Sequence, residues 1–151
     1  MTELKKYFTN KAYGGYSDCI TGGDLKYPWW KGCTLSNCTG LCWGLFNLAR
    51  GTKNNFKRLR GNAGTLYASA RKDGSGYIVG QTPKDDSIAV YGAGTSAGHV
   101  VYILHKFGDS SYIGIESNYS GNFSNGRALR VKYGNPKKWY KDYKGCIYDF
   151  N

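Results

Sequence analysis

Beyond Gly74 the sequence breaks into six short runs: GYIVG, SIAVYG, GHVVYILHKFG, SYIGIESNYSG, ALRVKYG and GCIYDF. Each is rich in β-branched and aromatic residues, which fit the pleated surface of a sheet, and Gly, Asn, Asp and Pro fall between them as turn formers. These runs are predicted strands. Two stretches ahead of them have a different texture. Ser36 or Asn37 can cap a helix in which Leu41, Leu45, Phe46, Leu48 and Ala49 recur as an apolar stripe, with Gly51 as its stop. Asn62 can cap a second helix through AGTLYASARK, ending at Gly74. Helices first and strands after predict an α+β fold, with N-terminal helices packed on a roughly six-stranded, mostly antiparallel sheet.

The remainder of the chain is less regular. Residues 2 to 9, TELKKYFT, fit a short helix leading into the turn signal YGGY, and residues 13 to 37 show no sustained period and are expected to form a long loop region. A length of 151 residues suits one core, so a single domain over 1–151 is expected. Apolar residues at 40% and aromatics at 16% exclude a disordered chain.

With 21 basic and 10 acidic residues the chain carries a formal charge of +11, so its surface should attract polyanions at low salt. Nucleic acid, an anionic membrane face and a teichoic-acid-rich Gram-positive wall all fit that charge. The basic residues are spread along LKK, KNNFKRLR, ARK, RALRVK and PKKWYKDYK, without one dense tail. No helix-turn-helix, zinc-finger or RNA-binding signature accompanies them. The N-terminus has no apolar signal region, and no apolar run nears the roughly 20 residues of a membrane span.

Three of the five cysteines fall within CTLSNCTGLC. Cys33, Cys38 and Cys42 are separated by four and three residues, unlike a zinc knuckle, and neither histidine is near. Cys42 lies one turn after Cys38 beside the apolar stripe and reads as a small buried hydrophobe. Cys19 and Cys146 read the same way, while Cys33 stays open. An odd number of cysteines leaves at least one thiol free. Cys38 alone occupies a helix N-terminus, where unpaired N–H groups and the helix dipole favour a thiolate.

A thiolate becomes a nucleophile when a base is within reach. His99 begins the strand GHVVYILH and His105 ends it. Glu116 and Asn118 follow His99 by 17 and 19 residues and, two apart on a strand, share a face. They can orient an imidazole on the neighbouring strand, which makes His99 the candidate base and His105 a surface residue.

LSNCTGLCWGLFN, TPKDDSIAVY, GHVVYI and IESNYSG, in that order over roughly residues 30 to 120, resemble the nucleophile helix, Pro-led strand, histidine strand and Glu-x-Asn segment of the CHAP family. This is the cysteine, histidine-dependent amidohydrolase/peptidase family, of papain-like fold. The likeness is to the CHAP domains of bacteriophage endolysins and tail lysins. It implies one CHAP catalytic domain with Cys38 as nucleophile, His99 as base, and Glu116 and Asn118 as polar orienting residues. It also implies hydrolysis of an amide bond in bacterial peptidoglycan, as an N-acetylmuramoyl-L-alanine amidase or an endopeptidase. Tyr27, Trp29 and Trp30, in the loop before Cys38, are expected to wall the substrate groove, although tryptophans also serve as core packing. Several phage CHAP domains carry closely spaced aspartates for calcium. The region around Asp18 and Asp24 departs from that pattern, so no metal or other cofactor is expected.

The expected partner is the peptidoglycan of a Gram-positive wall, with no nucleic acid and no membrane insertion. The expected setting is a phage lysin or virion protein made in the host cytoplasm without a signal peptide and acting on the wall. The rival reading is a non-catalytic basic domain that binds cell wall or nucleic acid.

Overall fold

The computed structural model describes residues 20–21, 38–51, 58–117 and 128–151. Among these, β1 (Ile20–Thr21), α1 (Cys38–Ala49) and α2 (Leu66–Arg71) precede β2 (Tyr77–Gly80), β3 (Ser87–Tyr91), β4 (His99–Lys106), β5 (Tyr112–Ser117), β6 (Ala128–Gly134) and β7 (Tyr143–Phe150). The strands form one sheet in the order β1-β6-β5-β4-β3-β7-β2. Every neighbouring pair is antiparallel. The α+β class and all six expected strands are present.

Two expectations are corrected. Ile20 and Thr21, within the expected loop region, pair with Leu129 and Ala128 and so add a seventh strand at the edge. A two-residue strand carries no periodicity for a sequence to reveal. The second helix is shorter than its pattern suggests, because Ala63–Thr65 forms a 3₁₀ turn before α2 and Lys72 is already extended. The Asn62 side chain makes no capping bond; instead the Thr65 hydroxyl donates to the Asn62 carbonyl at 2.8 Å. The cause is tertiary: Gly64 N–H donates to Ala97 O at 3.0 Å, tying this turn to the loop before β4.

The central strands are buried on both faces, which explains why SIAVY and HVVYIL read as continuous apolar runs without polar alternation. On one face, Leu41, Cys42, Trp43, Leu45 and Phe46 of α1 pack with Ile88, Val90, Val100, Tyr102, Leu104, Ile113 and Ile115. Trp43 meets Phe46 and Tyr77 edge to face, with ring centroids 5.3 and 5.7 Å apart. On the other face, Ala89, Tyr91, Val101, Ile103, Tyr112 and Cys146 are joined by Trp139, Tyr140, Tyr143 and Tyr148. The chain between β6 and β7 thus covers what the helices leave open.

Arg50 anchors the C-terminal end of α1. Its guanidinium donates to the carbonyls of Phe46 and Asp86, both at 2.8 Å, to that of Tyr148, and to the Asp149 carboxylate at 2.9 Å. Fixing that end to β7 and the turn before β3 fixes the direction of the helix, and hence where Cys38 points at its start. Among the described residues no helix is long and apolar enough to cross a membrane.

Candidate active site

Three of the residues singled out in the sequence come together. Cys38 is the first residue of α1, His99 the first of β4, and Glu116 lies one residue from the end of β5. All three are buried. His99 Nε2 lies 2.8 Å from Glu116 Oε2, and Cys38 is near enough to the same imidazole to act on its protonation.

The electrostatics follow from this chain of three groups. Burial acts to lower the pKa of His99, yet hydrogen bonds to Cys38 and Glu116, together with the charges of both, outweigh it and raise the value from 6.5 to about 9. The imidazole is therefore held protonated at neutral pH, beside Cys38 at the start of α1.

The sign of the pH dependence follows. A raised folded-state pKa adds stability that is fully present below about 6.5 and lost as pH rises through about 9. Any turnover that needs the imidazolium should fall on an alkaline limb near pH 9. In Glu116→Gln one upward influence is removed while burial remains, so the limb in a kcat/KM profile should move to lower pH. An unmoved limb would show that Glu116 does not govern His99.

His105, the other histidine, is half-exposed near the far end of β4, at the surface as expected, with Nδ1 2.9 Å from Asp85 Oδ2. Cys42 and Cys146 are buried, and burial pushes Cys146 upward in pKa. Asn118, Tyr27, Trp29, Trp30, Cys19 and Cys33 lie outside the described residues, as do Asp18 and Asp24. Among the described residues no group of three or more His, Cys, Asp or Glu could hold a metal ion.

One residue at the site was not foreseen. The Tyr140 hydroxyl donates to both oxygens of Glu116, at 2.7 and 2.8 Å, and its ring stands edge-on to His99 with centroids 4.9 Å apart. Its sequence setting, PKKWYKDYK, is conspicuous only for its charge, and its spacing gives no hint of a reach back to a carboxylate 24 residues earlier.

The family profile of the CHAP domain matches residues 25–118, more than half of the chain. The chain belongs to the CHAP domain family. A comparison with curated proteins finds no match. Among solved structures, this CHAP domain is similar to an N-acetylmuramoyl-L-alanine amidase from Staphylococcus aureus, with 19% identity, a TM-score of 0.55, and coverage of 77% of this chain and 31% of that one. It is also similar to Ly7917, with 18% identity, a TM-score of 0.50, and coverage of 76% and 53%. Ly7917 solved with the hydrolyzing product of MDP aligns at 19% identity and a TM-score of 0.51, over 77% and 54%. At such identities these structures establish a shared fold. The chain spans about half the length of Ly7917 and about a third of the amidase.

Proposed function

We propose that this CHAP domain is a cysteine-dependent peptidoglycan hydrolase that cleaves an amide bond of the cell-wall peptide, as an N-acetylmuramoyl-L-alanine amidase or as an endopeptidase. The observation that carries the reading is the buried chain Cys38–His99–Glu116, in which the imidazole is raised to a pKa of about 9 between a thiol and a carboxylate. The staphylococcal neighbour, an N-acetylmuramoyl-L-alanine amidase, supports the substrate class.

In this mechanism the Cys38 thiolate attacks the amide carbonyl and forms the S–C bond. The oxyanion is received at the start of α1, where the first N–H groups have no intrahelical partner; a donor of this kind is worth about 3–4 kcal/mol in a transition state. His99 gives its proton to the amine nitrogen as the C–N bond breaks, leaving a thioester. The neutral imidazole then takes a proton from water, the water oxygen joins the acyl carbon, and the S–C bond breaks to release the acid and restore the thiolate–imidazolium pair. Glu116 stabilises the imidazolium in both halves. Asn118 assists Glu116 or polarises the substrate, and Tyr27, Trp29 and Trp30 wall the groove.

The net charge of +11 favours accumulation on an anionic Gram-positive wall, and added salt should weaken it. A phage lysin or virion-associated setting, with synthesis in the host cytoplasm and action on the wall, accommodates these properties. Digestion of purified Gram-positive peptidoglycan, with mass spectrometry of the fragments and an assay of new amines, tests the reading, with thiol-blocked protein as control. A new amine on L-Ala beside a freed muramic acid identifies an amidase, and an amine within the stem or cross-bridge identifies an endopeptidase. No cleavage of walls from several species under reducing conditions, with and without calcium, sinks the proposal and leaves a binding domain.

A further inference from the structure

The carboxylate of a glutamate turns easily about its last torsion, which has broad minima, so rotamer preference alone does not keep one oxygen aimed at a histidine. Glu116 nevertheless has to present Oε2 to His99 while fully buried, and a buried carboxylate needs hydrogen bonds in place of its lost water. Tyr140 meets both needs with one hydroxyl. It donates to Oε1 at 2.7 Å and to Oε2 at 2.8 Å, a grip on both oxygens that opposes rotation of the group. Its ring meanwhile lies edge-on to the imidazole, 4.9 Å between centroids, and fills space into which that ring could otherwise tilt.

The tyrosine is itself held from several sides. The turn Pro136–Lys138 is capped by Asn135, whose side chain accepts from Lys137 N–H at 3.0 Å. Tyr91 donates to Pro136 O at 2.7 Å and meets the Tyr140 ring edge to face at 5.5 Å. Beyond it, Gly92 and Ala93 N–H donate to Asp142 O and Lys141 O at 2.9 and 3.0 Å. Trp139 settles over Gly114, two residues before Glu116 on the same face of β5, where a Cβ would come within 2.7 Å of the indole. The missing side chain at Gly114 lets the β6–β7 connection approach the sheet closely enough for the next residue to reach Glu116.

We propose that Tyr140 is a positioning residue of the active site, which locks the Glu116 carboxylate on His99 Nε2 and thereby fixes the orientation of the imidazole beside Cys38. The inference rests on the hydrolase reading for its kinetic consequence but not for its structural one, and two readouts separate them. Tyr140→Phe removes only the hydroxyl. In wall digestion it should lower kcat about tenfold to a hundredfold, the scale of one hydrogen bond to a charged group, with KM within about twofold. In NMR of ¹⁵N-histidine-labelled protein, which needs no substrate, the His99 Nε2–H resonance should shift or broaden while the signals of His105 stay in place and the melting temperature changes by no more than about 3 °C.

Wild-type kcat together with an unchanged His99 resonance in Tyr140→Phe overturns the proposal. So does a loss of activity accompanied by general unfolding and displaced His105 signals, because that is the mark of a merely structural tyrosine. If wild type digests no wall but the His99 resonance still responds, the positioning role stands and the hydrolase reading falls.

Discussion

Cys38→Ala should abolish hydrolysis, lowering the rate by at least about 10⁴-fold, while the protein stays folded. The substitution removes one sulfur from the start of α1 and leaves the helix, its Arg50 anchor and both faces of the sheet in place. The deleted volume is small, so the cost in stability should be about 1 kcal/mol. The second consequence is electrostatic and does not depend on any substrate. Burial acts to lower the pKa of His99, and the hydrogen bond and charge of Cys38 are among the influences that raise it against burial to about 9. Without the thiol that value should fall, and an NMR titration of His99 would read the change directly. A variant that still digests peptidoglycan would remove the nucleophile from the mechanism. A His99 titration identical to wild type would mean that the two side chains do not interact.

The sheet and α1 were legible because they repeat: an apolar residue every third or fourth position, or a run of β-branched residues, states its structure locally. Glu116 was legible because it and Asn118, two apart in one strand run, are polar residues on a common face, and His99 because it opens the neighbouring run. Their pairing at 2.8 Å follows from strand adjacency, with Tyr102 opposite Ile115 setting the register. Tyr140 was hidden because its position depends on a connection folding back over the sheet, which no local pattern encodes. The 3₁₀ start of the second helix was hidden too, since a contact with Ala97, 33 residues later, overrides a helical propensity that looked sufficient on its own. What escapes the sequence is therefore non-local contact made by irregular chain, and here such contact supports the site from both sides.

The second of those contacts predicts the largest effect among substitutions outside Cys38, His99 and Glu116. Gly98 immediately precedes His99, with φ +68°, and a Cβ there would come 2.3 Å from Gly64 N, 2.4 Å from Gly64 Cα and 2.7 Å from Tyr91 O. These are backbone atoms, so no side chain can swing aside. Either the turn at Ala63–Thr65 or the loop carrying His99 has to move, and the bond from Gly64 N–H to Ala97 O would be disturbed with it. Gly94, in the same loop, supplies the comparison, for it shares a positive φ of +70° but has nothing within 4 Å of a Cβ. Gly94→Ala should therefore cost only the left-handed strain, about 1 kcal/mol, and leave kcat near wild type. Gly98→Ala carries the same strain plus the collision, so a loss of about 2–4 kcal/mol is expected in chemical denaturation. A displacement of His99 by about 1 Å can lower kcat on the order of 10²-fold, because a misplaced imidazole meets neither the thiol nor the leaving nitrogen in line. If the two alanine variants matched in stability and turnover, the Gly64–Gly98 contact would not be what seats the histidine. If Gly98→Ala alone lost activity, the placement of the base would depend on two glycines, 34 residues apart, whose backbones touch.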